Sequence, residues 1–350
     1  MNSSILAVSR TRRVAFLVVA IVTACRAPAD TPPAEEVKMR WGTATVYMEN
    51  DKFLAGSDKH YTNGFKLSAL SRNLSDDLDE APSWASQIVR WLPTHKEDRP
   101  GRKLGFAIGQ NIYTPEDIET TALVPDDRPY AGWLYSSLAV HTQTYGRLDV
   151  FEVSLGVVGP SALGRQIQNG WHKIIGVDEV KGWDNQLRDE PGIIIAYEHR
   201  RRFKTANSTA GWGADLIPHV GVSLGNVDTH LSGGAQARIG WRLPSDFGHA
   251  PIRPGGDSNT HSFADLTGWA FHGFAGFDAR LVGWNIFLDG NTWKDGHNVD
   301  KREIAADFFV GLSLRFERLR FNYTQISRTR EFYGQDKSDV FGSLALTVLY

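Results

Sequence analysis

The chain has 350 residues, 38 Lys+Arg against 40 Asp+Glu for a net charge of −2, and one cysteine. That length accommodates one large all-β domain or two smaller ones. Near neutrality without basic clusters excludes a phosphate-tracking nucleic-acid surface. A lone cysteine excludes an internal disulfide, so the sheet alone must hold the fold.

In chain order, Arg10, Arg12 and Arg13 precede an apolar stretch from Val14 to Ala24, and Ala27-Pro28-Ala29 offers a small-x-small cleavage site. Residues 1–29 therefore read as an export signal, too short in its apolar part to span a bilayer comfortably as a helix. Val22-Thr23-Ala24-Cys25 also fits a lipoprotein processing box. Cleavage after Ala29 and lipidation of Cys25 both stay open, and either route exports the protein. Residues 30–39, with Pro32-Pro33 and Glu35-Glu36, read as a disordered lead-in.

No later segment carries 18 consecutive apolar residues, so no membrane-spanning helix is expected after the signal. Alternation decides the class. Phe151, Val153, Leu155 and Val157 oppose Glu152, Ser154 and Gly156; Phe308, Val310, Leu312, Leu314 and Phe316 oppose Asp307, Gly311, Ser313 and Arg315. Period two with charged and small residues on the second face suits lipid outside and a polar lumen inside. A soluble sandwich with one wet face is the competing reading. Leu344, Leu346, Val348 and Tyr350 tip the balance, alternating to an aromatic C-terminal residue.

Strands are predicted at 41–50, 61–72, 103–113, 130–142, 147–158, 192–203, 213–224, 234–243, 267–289, 303–316, 318–327 and 340–350. The ninth is kept whole, because Asp278-Ala279-Arg280 lacks tight-hairpin chemistry, and a bulge there would shift the outward register from Trp269, Phe271 and Phe277 to Val282, Trp284, Ile286 and Leu288. The result is a twelve-stranded antiparallel transmembrane β-barrel over 40–350. Counting strands from two periplasmic ends brings Asn50-Asp51, Tyr61-Thr62-Asn63-Gly64, Asp127-Arg128-Pro129-Tyr130 and Gln168-Asn169-Gly170-Trp171-His172 to one rim, facing the exterior.

Two inserts are expected to be helical. Trp84 to Trp91 reads as an amphipathic periplasmic helix. Within 161–175, Leu163, Ile167, Trp171 and Ile174 recur at helical spacing while Arg165, Gln168, Asn169 and His172 take other faces, predicting a rim helix that turns His172 toward the strand ends. Gly170 inside it suggests close packing or a distortion.

His172 is a candidate base for ester hydrolysis, or else a surface histidine on an interfacial helix. Asp51 is a hard oxygen ligand suited to calcium, and Asn50-Asp51 could equally be strand-end turn chemistry. Thr62 could be a nucleophile, a contact to calcium-bound water or an ordinary strand threonine. Arg128 could bind a substrate phosphate or form a buried ion pair with Asp127 or Asp184. Tyr130, Trp171 and Trp183 could line an acyl groove or belong to the interfacial aromatic belt. No Ser-His-Asp triad stands out, which favours direct attack by water.

Together Glu49-Asn50-Asp51, Asp58 with Tyr61-Thr62-Asn63-Gly64, Asp127-Arg128-Pro129-Tyr130-Ala131-Gly132, Gly159-Pro160, Gln168 to His172 and Gly182-Trp183-Asp184-Asn185-Gln186-Leu187 make residues 40–350 resemble the LpxR-type lipid A deacylases of Gram-negative outer membranes. The resemblance implies a barrel whose extracellular rim removes the 3′ acyloxyacyl group of lipid A, with calcium as cofactor. It implies His172 as the base activating water, Asp51 with Asn50 at a calcium-assisted oxyanion position, and Thr62 completing the pocket. Arg128, Asn169 and Tyr130 are the candidate substrate-binding residues. Asp178, where the family example has a glutamate, becomes a second metal ligand with Asp51. That example has a Lys-Arg pair in the second loop, whereas this chain reads Tyr113-Thr114-Pro115-Glu116-Asp117-Ile118-Glu119. A non-catalytic barrel and a phospholipid esterase are the alternative functions. A closed barrel has no free edge, so a monomer is expected.

Overall fold

The computed structural model describes residues 41–51, 60–74, 101–205, 211–249, 252 and 268–350. The expected signal and lead-in with Cys25, the Asp58 position and the expected helix from Trp84 to Trp91 lie outside the described residues.

The sheet comprises β1 (Trp41–Asn50), β2 (His60–Ser71), β3 (Gly101–Thr114), β4 (Ala131–Gln143), β5 (Arg147–Val158) and β6 (Glu190–Arg201, resuming as Phe203–Thr205 after a break at Arg202). It continues with β7 (Trp212–Gly225), β8 (Asp228–Trp241), β9 (Trp269–Asn285), β10 (Ile304–Phe316), β11 (Leu319–Arg328) and β12 (Asp339–Leu349). Sequential neighbours pair antiparallel, β6 pairs with β7, and the sheet closes where Asn50 of β1 stands opposite Gly342 of β12. The twelve-stranded barrel expected from the sequence is therefore present, and it has no open edge.

The rim carrying Trp41 and Leu349 is the base, and the opposite rim is the crown. Odd-numbered strands run to the crown, so the four sequence signatures do share one rim. Outward positions are apolar, as at Phe106, Ile108, Leu155, Val220 and Leu312. No helix among the described residues is long and apolar enough to cross a membrane; the strands provide the crossing.

The lumen is filled. Near the crown, Tyr61, Tyr113, Trp133, Tyr135, Phe287 and Phe341 belong to one buried cluster. Lower down, Arg238 meets Asp215 with Nε–Oδ1 at 2.8 Å and Nη2–Oδ2 at 2.6 Å, and Arg320 donates to Asp246 Oδ2 at 2.6 Å. Asp246 lies beyond β8, on a segment that turns back into the lumen. There Phe247 is fully buried against Ala139, Leu148 and Val150, and the Ile252 amide donates to Glu49 at 2.7 Å. Buried charges of this kind persist because each is paired and hydrogen-bonded.

Three expectations need correction. The eighth strand begins at Asp228, six residues earlier than predicted, because its first turn faces the lumen with polar Asp228 and His230, which carry no apolar signal. The ninth strand is unbroken as expected, but its irregularity falls between Val282 and Trp284, not at Asp278-Ala279-Arg280. Asp278 and Arg280 keep the lumen register and Leu281 points outward. Ile286, Phe287 and Leu288 then form a buried turn of helix, α2 (Ile286–Asp289), so Ile286 and Leu288 do not face lipid. Asn285 caps that turn by accepting from the Phe287 amide at 3.0 Å.

Candidate active site

The motif from Tyr61 to Gly64 is explained by a bulge. The β2–β3 register slips between Tyr61 and Asn63, which places two successive side chains against one and re-aims them. Tyr61 turns into the lumen, where its hydroxyl donates to Glu49 Oε2 at 2.9 Å. Gly64 is the space the ring needs, since a β-carbon there would sit 2.0 Å from the Tyr61 hydroxyl. Thr62 is thereby turned to the outer wall, and its Oγ1 lies 2.8 Å from Oγ1 of Thr114 at the end of β3. Thr114 shares its strand face with outward Phe106 and Ile108. Asn50 is outward too, in alternation with Met48, and its Nδ2 donates to the Thr62 carbonyl at 2.9 Å. Asp51 follows immediately and is buried. A patch of amide and hydroxyl groups thus stands on the outside of the barrel, where alternation alone would place apolar side chains.

Helix α1 (Gly164–Ile175), preceded by a 3-10 turn at Pro160–Ala162, lies against that outer wall. Close approach is permitted by Gly132 on β4, where a β-carbon would lie 3.0 Å from the Ala162 β-carbon and 3.3 Å from the Gly164 nitrogen. Trp183 fits under the start of the helix, with a β-carbon on Gly164 falling 2.6 Å from its ring. Tyr130 packs on Trp183 at 5.2 Å between centroids and, with Ile112 and Val180, completes a buried cluster beneath the helix. Burial, reinforced by the Asp117 carboxylate, pushes the Tyr130 phenol up to about 12, so it stays neutral.

The helix is inverted relative to a soluble amphipathic helix. Leu163, Ile167 and Ile174 are exposed on its far side, while Gln168 and His172 are each 2% exposed. The apolar stripe seen in the sequence faces away from the protein and the polar face meets the wall. The close packing that is one reading of Gly170 is absent, for nothing lies within 4 Å of a β-carbon there, and the helix runs through it without interruption. Gly176, at φ 76°, ends the helix in the left-handed conformation.

His172 Nδ1 lies 2.6 Å from the backbone oxygen of Asp178. A carbonyl only accepts, so Nδ1 carries a proton, and in the neutral ring the lone pair is therefore on Nε2. Asn169 anchors the same loop, accepting from the Val180 amide at 3.0 Å and donating to its carbonyl at 3.3 Å. Gln168 Oε1 accepts from Trp183 Nε1 at 3.1 Å, and its buried Nε2 has no hydrogen-bond partner among the described residues. Asn169 therefore orders the loop that orients His172.

Arg128 is 1% exposed and donates from Nη1 to Glu331 Oε2 at 3.2 Å, with its guanidinium 4.9 Å over the Tyr113 ring. Its ion-pair partner is thus Glu331, neither Asp127 nor Asp184. Asp127 instead accepts the amides of Arg128 and Glu116, at 2.7 and 2.6 Å, and Asp184 pairs with Arg165. Burial pushes Glu331 up, but Arg328 and Arg128 outweigh it and hold the carboxyl below its ordinary value.

Among the described residues no cluster of three or more His, Cys, Asp and Glu is arranged to hold a metal. The crown nevertheless offers hard oxygen donors in the Asp51 carboxylate, the Asn50 amide and the Thr62 and Thr114 hydroxyls, a set suited to calcium and not to zinc. The Asp178 side chain is exposed, and it is its backbone oxygen that serves His172. Sequence reading overlooked Thr114, one residue past the predicted end of its strand, and Glu331, in a loop with no motif of its own. The partner of Thr62 could have been sought by counting β3 from its outward Phe106 and Ile108.

The family described as outer membrane protein LpxR matches residues 15–350. No curated protein matches significantly. Among solved structures, LpxR from Salmonella typhimurium aligns with TM-score 0.69 at 21% identity, covering 88% of this chain and 100% of that one. The β domain of the Bordetella autotransporter BrkA aligns with TM-score 0.41 at 10% identity over 89% of this chain and 100% of that one. The transport unit of the autotransporter AIDA-I from Escherichia coli gives 0.37 at 9% over 97% and 99%.

Proposed function

Since this chain belongs to the LpxR family of outer-membrane proteins, we propose that it is a calcium-dependent esterase of the exterior leaflet that removes the 3′-linked acyloxyacyl group of lipid A. The observation that supports the reading is the His172 imidazole, buried on a helix that lies against the outer wall and held through Nδ1–H by the Asp178 carbonyl, on the same crown that carries outward Asn50, Thr62 and Thr114.

In this reading Nε2 of His172 takes a proton from water as the water oxygen attacks the ester carbonyl; the acyl C–O bond then breaks, the acyloxyacyl group leaves as a free carboxylic acid, and the sugar 3′ oxygen takes the proton back from Nε2 to leave as a hydroxyl. The carbonyl of Asp178 holds Nδ1–H and so favours the imidazolium that forms. Asn50 and Thr62 orient the ester oxygen. Asp51, with Asp178 as a second carboxylate, would hold calcium, whose charge would favour the developing oxyanion. Water attack of this kind needs no Ser-His-Asp triad. The exposed apolar stripe Leu163, Ile167 and Ile174 suits a helix resting in lipid, next to the acyl chains of the substrate. Arg128, committed to Glu331, contributes by ordering the crown.

A phospholipid esterase is the second reading, favoured by the exposed acidic loop Glu116, Asp117 and Glu119, which offers no cation to a lipid A phosphate. A non-catalytic pore is disfavoured by the filled lumen. The test is mass spectrometry of lipid A incubated with detergent-purified protein in calcium or EDTA, for wild type and His172→Ala. Calcium-dependent loss of one acyloxyacyl unit, absent in the variant, supports the proposal. No change in lipid A together with cleavage of phospholipid supports the second reading.

A further inference from the structure

Polar side chains collect on the outer wall at a second place, at the base, and there they are charged. Arg147, the first residue of β5, stands directly opposite Arg201, the last before the break in β6. Both lie on the outward faces that carry Phe151, Leu155, Ile193 and Ile195. Like charges in direct cross-strand register repel, so the pair calls for an anion. The carboxylate at hand is Asp149, and it is already shared. It accepts from the Tyr197 hydroxyl at 2.7 Å, lies 2.8 Å from His199 Nδ1, and pairs with Arg147 Nε at 3.1 Å.

Arg201 makes no ion pair among the described residues; its guanidinium lies 5.6 Å from the centroid of the Phe203 ring. Two guanidiniums thus stand beside one occupied carboxylate at the lower edge of the apolar belt, the level at which lipid phosphates lie. Flanking Tyr197 and Phe203 are both exposed, as interfacial aromatics are.

We propose that Arg147 and Arg201 form a site for the phosphate of an anionic phospholipid in the leaflet at the base of the barrel, its acyl chains lying along Phe151, Tyr197 and Ile195. A phosphate between the two guanidiniums removes their repulsion and gains charge-assisted hydrogen bonds with planar geometry that an ammonium does not reproduce. The apolar wall above the pair is continuous with the lipid-facing belt, which suits a diacyl lipid and not a free phosphate ion.

Native mass spectrometry of the detergent-purified barrel, mixed with phosphatidylglycerol or phosphatidylcholine, tests this. The wild type is expected to retain one phosphatidylglycerol preferentially as collision energy rises. Arg147→Gln with Arg201→Gln is expected to lose that retention by roughly tenfold or more, whereas Arg165→Gln with Lys173→Gln, at the crown, keeps it. Folding is checked by heat-modifiable gel mobility. If the double variant does not fold, Arg201→Gln alone, which leaves the Asp149 network intact, is expected to show the loss. Undiminished retention in Arg201→Gln, or equal retention of phosphatidylcholine by the wild type, overturns the proposal. Lipid A turnover does not enter this readout, so its outcome is independent of the proposed activity.

Discussion

Tyr61 lies over Gly64, three residues further along the same strand, and only the missing β-carbon makes room for its hydroxyl to reach Glu49. The pair locks the bulge that sends Thr62 outward. Gly64→Ala places a carbon 2.0 Å from that hydroxyl, so ring or strand must move. The expected cost is about 1–3 kcal/mol of stability, measured by urea unfolding in micelles, together with loss of hydrolysis. Glu49→Gln, which keeps an acceptor for the tyrosine, is expected to retain most activity. Full activity in Gly64→Ala would mean that the orientation of Thr62 is unimportant.

Gly132 tests whether helix α1 must touch the wall. A β-carbon there meets Ala162 at 3.0 Å and backbone at 3.3 Å, and a valine adds two methyl groups to that clash. Gly132→Val is expected to lift the start of the helix and abolish activity while the barrel still folds, because the strands beneath are unaffected. Heat-modifiable mobility should be normal, and protease cleavage within 160–181 should quicken.

Much of this was legible in the sequence. Alternation in segments such as 147–158 and 304–316 yields strands, an even strand count follows, and direction follows from the count. Helical spacing from Leu163 to Ile174 predicted α1. What could not be read is which side of the wall the site occupies, since a bulge at Tyr61 reverses two side chains without leaving a composition signal. The lumen segment with Phe247 and Ile252 was hidden for a related reason. Isolated apolar residues in a Gly- and Pro-rich connection have no periodicity to detect. Nor does sequence distance hint that Arg128 would pair with Glu331, whose meeting depends on closure of the barrel.

That ion pair carries a stability prediction. Glu331→Ala leaves Arg128 buried without its carboxylate, at an expected cost of about 3–5 kcal/mol. Replacing both by glutamine should recover much of it. The sign of the pH dependence follows from the depressed carboxyl of Glu331. Stability from this group is fully present above its unfolded value of about 4.3 and is lost as pH falls through the lower folded value. Unfolding followed from pH 7 to 3 should therefore show an acid-side loss in the wild type that Glu331→Gln lacks.

Asp178 separates two roles that the resemblance alone would merge. Its backbone oxygen holds His172, and that contact survives any side-chain replacement. If the carboxylate binds calcium, Asp178→Asn is expected to raise the calcium needed for half-maximal activity by roughly tenfold while leaving turnover at saturating calcium nearly intact. The ratio of wild-type to variant turnover at saturating calcium should stay near one whether lipid A or a shorter ester is the substrate. An unchanged calcium requirement would assign the residue to loop geometry alone.

Gly170→Ala probes the helix without touching its contacts. The position is helical, exposed and open to 4 Å, so an alanine meets no obstacle and removes the backbone freedom that glycine has when unfolded. The expected gain is about 0.5–1 kcal/mol in local helix stability, seen as slower amide exchange across 164–175. Because the new methyl points away from the wall, hydrolysis should proceed at the wild-type rate if the helix is a fixed partner of the wall. Slower exchange accompanied by slower turnover would instead mean that the helix must bend at Gly170 to admit a lipid, giving that glycine a dynamic role that its open surroundings permit.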